Sequence, residues 1–279
     1  MSNQSIAQED RALALLRIKE LFDSNVRGKF PSLSDSSKSH DGSDGHWLQV
    51  QFELEADNKN APDIFGFELK NGTKTKTTFG DWTADEYVFF SHQACKSSAA
   101  KAARCSKCSN SKISRDEFFQ IFATPNPKKN NRLSWSGEVF PKVGKVNKFG
   151  QVLTVQREGE VRAEYSFEED QRLDKNRIVP ADFRNGRHIL GRWKAATLQS
   201  RLEEKFKVNG WIKCVRSQNG AGPYSELWVG APIRFEDWIA SVKNGEVYLD
   251  SGMYQGNNRP YQSWRANNNY WELRVIERY

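Results

Sequence analysis

No run of apolar residues in this chain approaches the roughly 20 positions a helix needs to cross a bilayer. Met1–Asp10 is polar and lacks the apolar centre of an export signal. Cysteine is sparse, with 4 in 279 residues, and nothing suggests export, so a disulfide-stapled scaffold is excluded. No internal repeat is visible. These absences lead us to expect a cytoplasmic chain with no membrane partner, long enough for one large domain or two lobes with their own cores. Aromatic residues are plentiful, and the 9 Trp and 17 Phe are expected mainly in those cores. Lys and Arg total 42 against 35 Asp and Glu, a net charge of +7 that favours an anionic partner without separating DNA from RNA.

The most informative stretch is Ala61-Pro62-Asp63-Ile64-Phe65-Gly66-Phe67-Glu68-Leu69-Lys70. Glu68 and Lys70 are two apart on an apolar, strand-like run, so their side chains leave one face. Asp63 stands just before that run, where a turn can aim it at the same point. Two carboxylates suit a hard cation such as Mg²⁺, or Mn²⁺ in its place, through oxygen ligands. A cation held there polarises a phosphate and lowers the pKa of water, and a lysine beside it stabilises charge on the phosphate or positions the water. The competing reading is a solvated Glu-x-Lys pair on an exposed strand. Upstream, Asp41-Gly42-Ser43-Asp44-Gly45 is a turn signal leading into a short helix over 46–54, which Ser43 or Asp44 caps. Glu53 near its end is a candidate third carboxylate, with Glu55 competing for the role. Downstream, Asn71-Gly72 signals a turn and Thr73–Phe79 alternates as a strand. Lys74 and Lys76 share a face there, as phosphate contacts or as guards of a sheet edge.

A glycine-containing entry, a helix ending in a glutamate, then Asp63, Gly66, Glu68, Leu69 and Lys70 resemble the core of PD-(D/E)xK nucleases of the MutH-like branch, and within it the MvaI/BcnI type of restriction endonuclease. Phe118–Pro125 is similar to that family's later core strand. The resemblance is clearest over residues 40 to 160. It implies an α/β fold, with a restriction-endonuclease-like core of mixed sheet flanked by helices and two lobes around a DNA cleft. It also implies a prokaryotic type II enzyme that hydrolyses double-stranded DNA in a Mg²⁺-dependent, site-specific manner and leaves 5′-phosphates. Asp63 and Glu68 then hold the metal, with Glu53 assisting, and Lys70 acts beside the attacking water. A cognate DNA methyltransferase acting on the same site is an implied partner, and the enzyme is a monomer or a homodimer. Two alternatives stay open: a MutH-like repair nickase, and a non-catalytic, zinc-stabilised nucleic-acid-binding protein.

Around this core we expect an N-terminal helix and loop over 1–40, a catalytic lobe over 41–165 and a second, DNA-recognising lobe over 166–279. In the first segment Leu15, Ile18 and Phe22 share the face of a helix spanning 6–23, followed by a Ser/Asp/Gly-rich loop. The catalytic lobe carries a cysteine-containing insertion over 92–108. There His92-x2-Cys95 and Cys105-x2-Cys108 have the paired spacing of a tetrahedral Zn²⁺ site, or are reduced thiols in a basic loop. Cys214 stands alone and is expected in the core. In the second lobe, helices are expected over 192–208, with Leu198, Leu202 and Phe206 on one face, and around Phe235–Val242. A last strand is expected over 270–276. The loop Gln255–Asn269 is dense in Arg, Asn and Gln, which fork onto purine edges. Arg259 and Arg265 are its candidate base readers. Arg184, Arg187, His188, Arg192 and Lys194 form a second basic patch suited to phosphates.

Overall fold

A computed structural model of the chain describes residues 3–31, 43–54, 60–91, 105, 108–257 and 259–279, with the side chains of 3–9 excepted. The chain forms two compact units from interleaved segments. One comprises Met1–Thr77, Ser200–Phe235 and Ala266–Tyr279, and the other Thr78–Gln199 and Glu236–Arg265. The break expected near 165 falls inside a continuous strand, Val161–Asp170.

The first unit is built on a four-stranded sheet in the order Glu68–Asn71, Trp211–Arg216, Tyr224–Gly230, Val275–Arg278. Its first pair is parallel and the other two are antiparallel. Period-two alternation sorts each strand between faces. Leu69, Ile212, Cys214, Leu227 and Val229 turn to one side, where they pack with Leu15, Ile18, Leu21, Phe22, Val26, Leu48 and Phe52. Those last residues come from helix Asn3–Leu21, its π-helical continuation Phe22–Val26, and helix Ser43–Gln51 with the turn after it. Leu15, Ile18 and Phe22, at i, i+3 and i+7, form an apolar stripe that runs from the first helix into its π-helical continuation. Cys214 is fully buried here, as expected. The opposite face carries Glu68, Lys70, Trp211 and Lys213.

The second unit holds a four-stranded antiparallel sheet in the order Glu86–Tyr87, Arg187–Trp193, Val161–Asp170, Phe149–Val155. Its core is aromatic. Trp238 meets Phe79, Trp82 and Trp264 at ring-centroid distances of 6.1, 5.9 and 5.0 Å, largely edge-on, the geometry ring quadrupoles favour.

Three expected elements differ. Phe118–Pro125, expected as a strand, begins inside helix Arg115–Phe122. Ser114 and Glu117 close a capping box that starts this helix, and Phe118, Phe119, Ile121 and Phe122 form its buried face. Tyr270 and Trp271 belong to the short helix Asn268–Glu272, and the last strand starts only at Val275. The helix expected from 192 runs Ala195–Phe206, because residues up to Trp193 complete a strand.

Candidate active site

The site begins with a tight reversal. Ile64 and Phe67 exchange backbone hydrogen bonds at 3.0 and 2.8 Å across Phe65 and Gly66. Both turn residues have positive φ, 46° and 80°, as a two-residue hairpin of the primed type demands. A Cβ on Gly66 would lie 2.8 Å from the Asn209 amide nitrogen, so a side chain here would displace that amide as well as meet an unfavourable φ. Asn209 pins the turn, its Nδ2 donating to Phe65 O at 2.8 Å and its N–H to Gly66 O at 3.1 Å. The reversal sends the chain back so that Asp63 Oδ2 accepts from Leu69 N–H at 2.8 Å. Asp63 is thereby fixed beside the strand that carries Glu68 and Lys70.

Glu68 and Lys70 are 2% and 6% exposed, too little for a solvated surface pair. Lys70 Nζ donates to Glu68 Oε1 at 2.8 Å, and Lys205 Nζ donates to the same oxygen at 2.8 Å. The other oxygen, Glu68 Oε2, is buried and has no hydrogen-bond partner among the described residues. A buried carboxylate oxygen left bare is costly unless a cation or donor meets it. Burial pushes Glu68 upward, but the ammonium groups of Lys70 and Lys205 outweigh it and hold the carboxyl below its ordinary value. Burial depresses Lys70 against the pull of Glu68. Burial, reinforced by the Glu68 charge, raises Asp63 from 3.8 to about 6. Two carboxylates that repel one another, one with a free oxygen, form a donor set suited to a divalent cation.

Lys205 is the residue sequence reading missed. It lies 137 positions from Glu68 and in no motif, and its one signal is a basic residue adjoining Phe206 on an amphipathic helix. Glu53 is exposed in the turn after helix Ser43–Gln51, with φ of 60°, and no hydrogen bond joins it to the other carboxylates among the described residues. Lys74 is exposed just ahead of strand Lys76–Gly80, and Lys76 is half-buried as its first residue. His92 and Cys95 lie outside the described residues. Cys108 is buried, and its N–H donates to Cys105 O at 2.9 Å. In the second unit Arg259 is exposed, whereas Arg265 pairs with Asp250 at 3.2 Å. The basic patch there is largely neutralised: Arg187 pairs with Glu169 at 2.6 Å, and Lys194 and Arg192 with Glu86 at 2.9 and 3.5 Å.

A sequence model of the family described as LlaMI restriction endonuclease matches residues 27–279. The chain belongs to this family. Among relatives of this LlaMI-type chain, the type II restriction enzyme ScrFI of Lactococcus lactis subsp. cremoris is 40% identical over 272 residues, spanning 94% of this chain and 97% of that protein. Among solved structures, restriction endonuclease MvaI in complex with its cognate DNA substrate superposes with a TM-score of 0.54 at 13% identity, covering 100% of this chain and 98% of that one. At that identity the likeness is one of fold. The expected restriction-endonuclease-like α/β fold, the likeness to MvaI and the assignment as a type II restriction endonuclease are therefore met. The non-catalytic binding protein is set aside. Among the described residues no helix is long and apolar enough to cross a membrane.

Proposed function

We propose that this LlaMI-family enzyme hydrolyses phosphodiesters of double-stranded DNA at a specific sequence, depends on Mg²⁺, and leaves 5′-phosphates. The observation that carries the reading is the buried Glu68 carboxylate, gripped on one oxygen by two lysines and bare on the other, with Asp63 close enough to be raised by its charge. Asp63 and Glu68 would hold the cation, and Mn²⁺ would serve in its place. When bound, the cation supplies Lewis acidity at the phosphate and a lowered pKa for water. Lys70 neutralises charge gathering on the phosphate and orients the attacking water, and its strand face places it beside Glu68 for that task. Lys205 acts through Glu68, fixing its orientation and keeping it ionised, and is a positioning residue. The described residues hold a single site of this kind, so a double-strand break takes two protomers or two successive events.

Lys74 and Lys76 are candidate backbone contacts, and Arg259 is the freer of the two candidate base readers because Arg265 would first have to leave Asp250. A structural Zn²⁺ on His92, Cys95, Cys105 and Cys108 belongs to the same reading, supported by the hydrogen bond from Cys108 N–H to Cys105 O. A methyltransferase that modifies the same DNA site is the expected cellular companion.

The test is digestion of unmethylated phage DNA by purified protein in Mg²⁺ or in EDTA, beside a Lys70→Ala variant. Discrete fragments that need Mg²⁺ and disappear with the variant are expected, and their ends map the recognition site. DNA left intact under conditions where the protein binds it would overturn the reading.

A further inference from the structure

The parallel register of the first unit sets a second lysine beside Lys70. Lys70 stands opposite Lys213, as Glu68 stands opposite Trp211. Partners in a sheet leave the same face, so Lys213 projects beside Lys70 from a strand roughly 4.8 Å away. It is 2% exposed. Its ammonium donates to Asn268 Oδ1 at 3.0 Å and lies 5.8 Å from the centre of the Trp228 ring. Among the described residues no carboxylate forms an ion pair with it. Asn268 is itself held fast, with Nδ2 donating to Thr73 O at 2.7 Å and N–H donating to Thr75 O at 3.1 Å.

Burial of an ammonium against an amide and an indole, with no carboxylate in contact, is costly, and it pushes Lys213 down to about 8 against the weaker, opposing pull of the Glu272 charge. A lysine kept only to tie its strand to Asn268 could be exchanged for a neutral donor at lower cost. Lys213 instead lines an open cavity of about 350 Å³, together with Lys74, Arg216, Asn219 and the backbone of Gly72 and Gly220. Lys74 is exposed at the mouth and has no partner among the described residues. Arg216 spends its guanidinium on Gly222 O at 2.7 Å and, more distantly, on Ala221 O and Asp44. Glu272, the carboxylate on the lining, pairs with Arg278 at 2.9 Å. The cavity thus presents two ammonium groups without an ion pair among the described residues, Lys213 at its floor with one neutral acceptor and Lys74 at its rim, next to the strand that carries the candidate active site.

We propose that this cavity is a subsite for a backbone phosphate of the DNA adjacent to the one being cut, gripped by Lys213 from the floor and Lys74 from the rim. The phosphate supplies the contacting counter-ion that Lys213 lacks, since Glu272 acts on it only at a distance and pairs with Arg278, and its capture sets the register of the strand across Glu68 and Lys70. The proposal rests on the nuclease reading above and adds to it two named contacts and their target.

The experiment uses a duplex bearing the mapped recognition site, with single neutral methylphosphonates placed in turn at each backbone position around the cut. Binding is measured in Ca²⁺ without Mg²⁺ for the wild type, Lys213→Met and Lys74→Ala. We expect one position beside the cut at which neutralisation weakens the wild type and leaves both variants unaffected. The slope of log K against log salt should also shrink by about 0.9 for each variant. A merely structural role for Lys213 would lower thermal stability without selecting one phosphate. Should Lys213→Met fail to fold by circular dichroism, the exposed Lys74→Ala decides alone. Variants that lose affinity at every position where the wild type does would overturn the subsite and leave the active-site reading standing. Cleavage by Lys70→Ala in the parallel Mg²⁺ reactions would instead overturn the active-site reading itself.

Discussion

Asp63→Asn should make the metal-free protein more stable at neutral pH while abolishing cleavage. Asp63 is raised from 3.8 to about 6 by burial and by the nearby Glu68 charge. Between those values the folded state holds the proton more tightly than the unfolded chain, so stability falls as pH rises through that window and is flat above it. The interval corresponds to about 3 kcal/mol at pH 8, and to about half that at pH 5. Asparagine keeps an oxygen to accept the Leu69 N–H but never ionises, so the variant escapes this loss. Urea unfolding at pH 8 and pH 5, in EDTA, should show the variant ahead by roughly 2–3 kcal/mol at the higher pH and by clearly less at the lower. Mg²⁺ should restore stability to the wild type and do little for the variant, because a bound cation offsets the repulsion that the variant no longer has. A variant equally stable or weaker at pH 8, or a difference that does not change with pH, would refute the account of Asp63 as a carboxylate held in strain for a cation.

Lys205→Met leaves Glu68 with one cation in place of two, so its carboxyl titrates higher. The acid limb of the single-turnover pH profile should move upward, and an unmoved limb would remove Lys205 from the site. Gly66→Ala places a Cβ at φ of 80° and 2.8 Å from Asn209, and should cost about 1–2 kcal/mol and depress cleavage, read by thermal melts and digestion. Ser114→Ala breaks the capping box of helix Arg115–Phe122 and should cost about 1 kcal/mol with cleavage kept at low temperature. Protein purified without chelators should carry about one Zn²⁺ per chain by elemental analysis, lost in Cys108→Ser, and a zinc-free wild type would sink that site.

The motif proposed to carry the chemistry could be read from the sequence because it is local. Asp63, Glu68 and Lys70 lie within one turn and one strand, where period-two alternation settles which side chains share a face. The apolar stripe of the first helix was legible for the same reason. Lys205 and Lys213 were not: the parallel pairing brings in Lys213, and the helix that precedes that strand brings in Lys205, each from more than a hundred residues away, and sequence spacing carries no trace of either placement. The strand assigned to Phe118–Pro125 came from the family resemblance; the capping signal of Ser114 and Glu117 starts a helix there, and only Thr124 and Pro125 of that stretch lie in a strand, Thr124–Asn126. Glu53 was placed by analogy with a helix end, but the chain leaves that helix through a positive-φ turn with the side chain in solvent.

The parallel pairing of Glu68–Asn71 with Trp211–Cys214 has a consequence for the cell that makes this enzyme. On the ribosome the Asp63–Lys70 segment emerges long before Lys205 and the strand that flanks it. Until then Glu68 has neither its second lysine nor the neighbouring strand that buries it. A partly synthesised chain therefore presents an unassembled centre, and a fragment released early carries the motif without the machinery. On the proposed reading of the site, topology delays its assembly until most of the polypeptide exists.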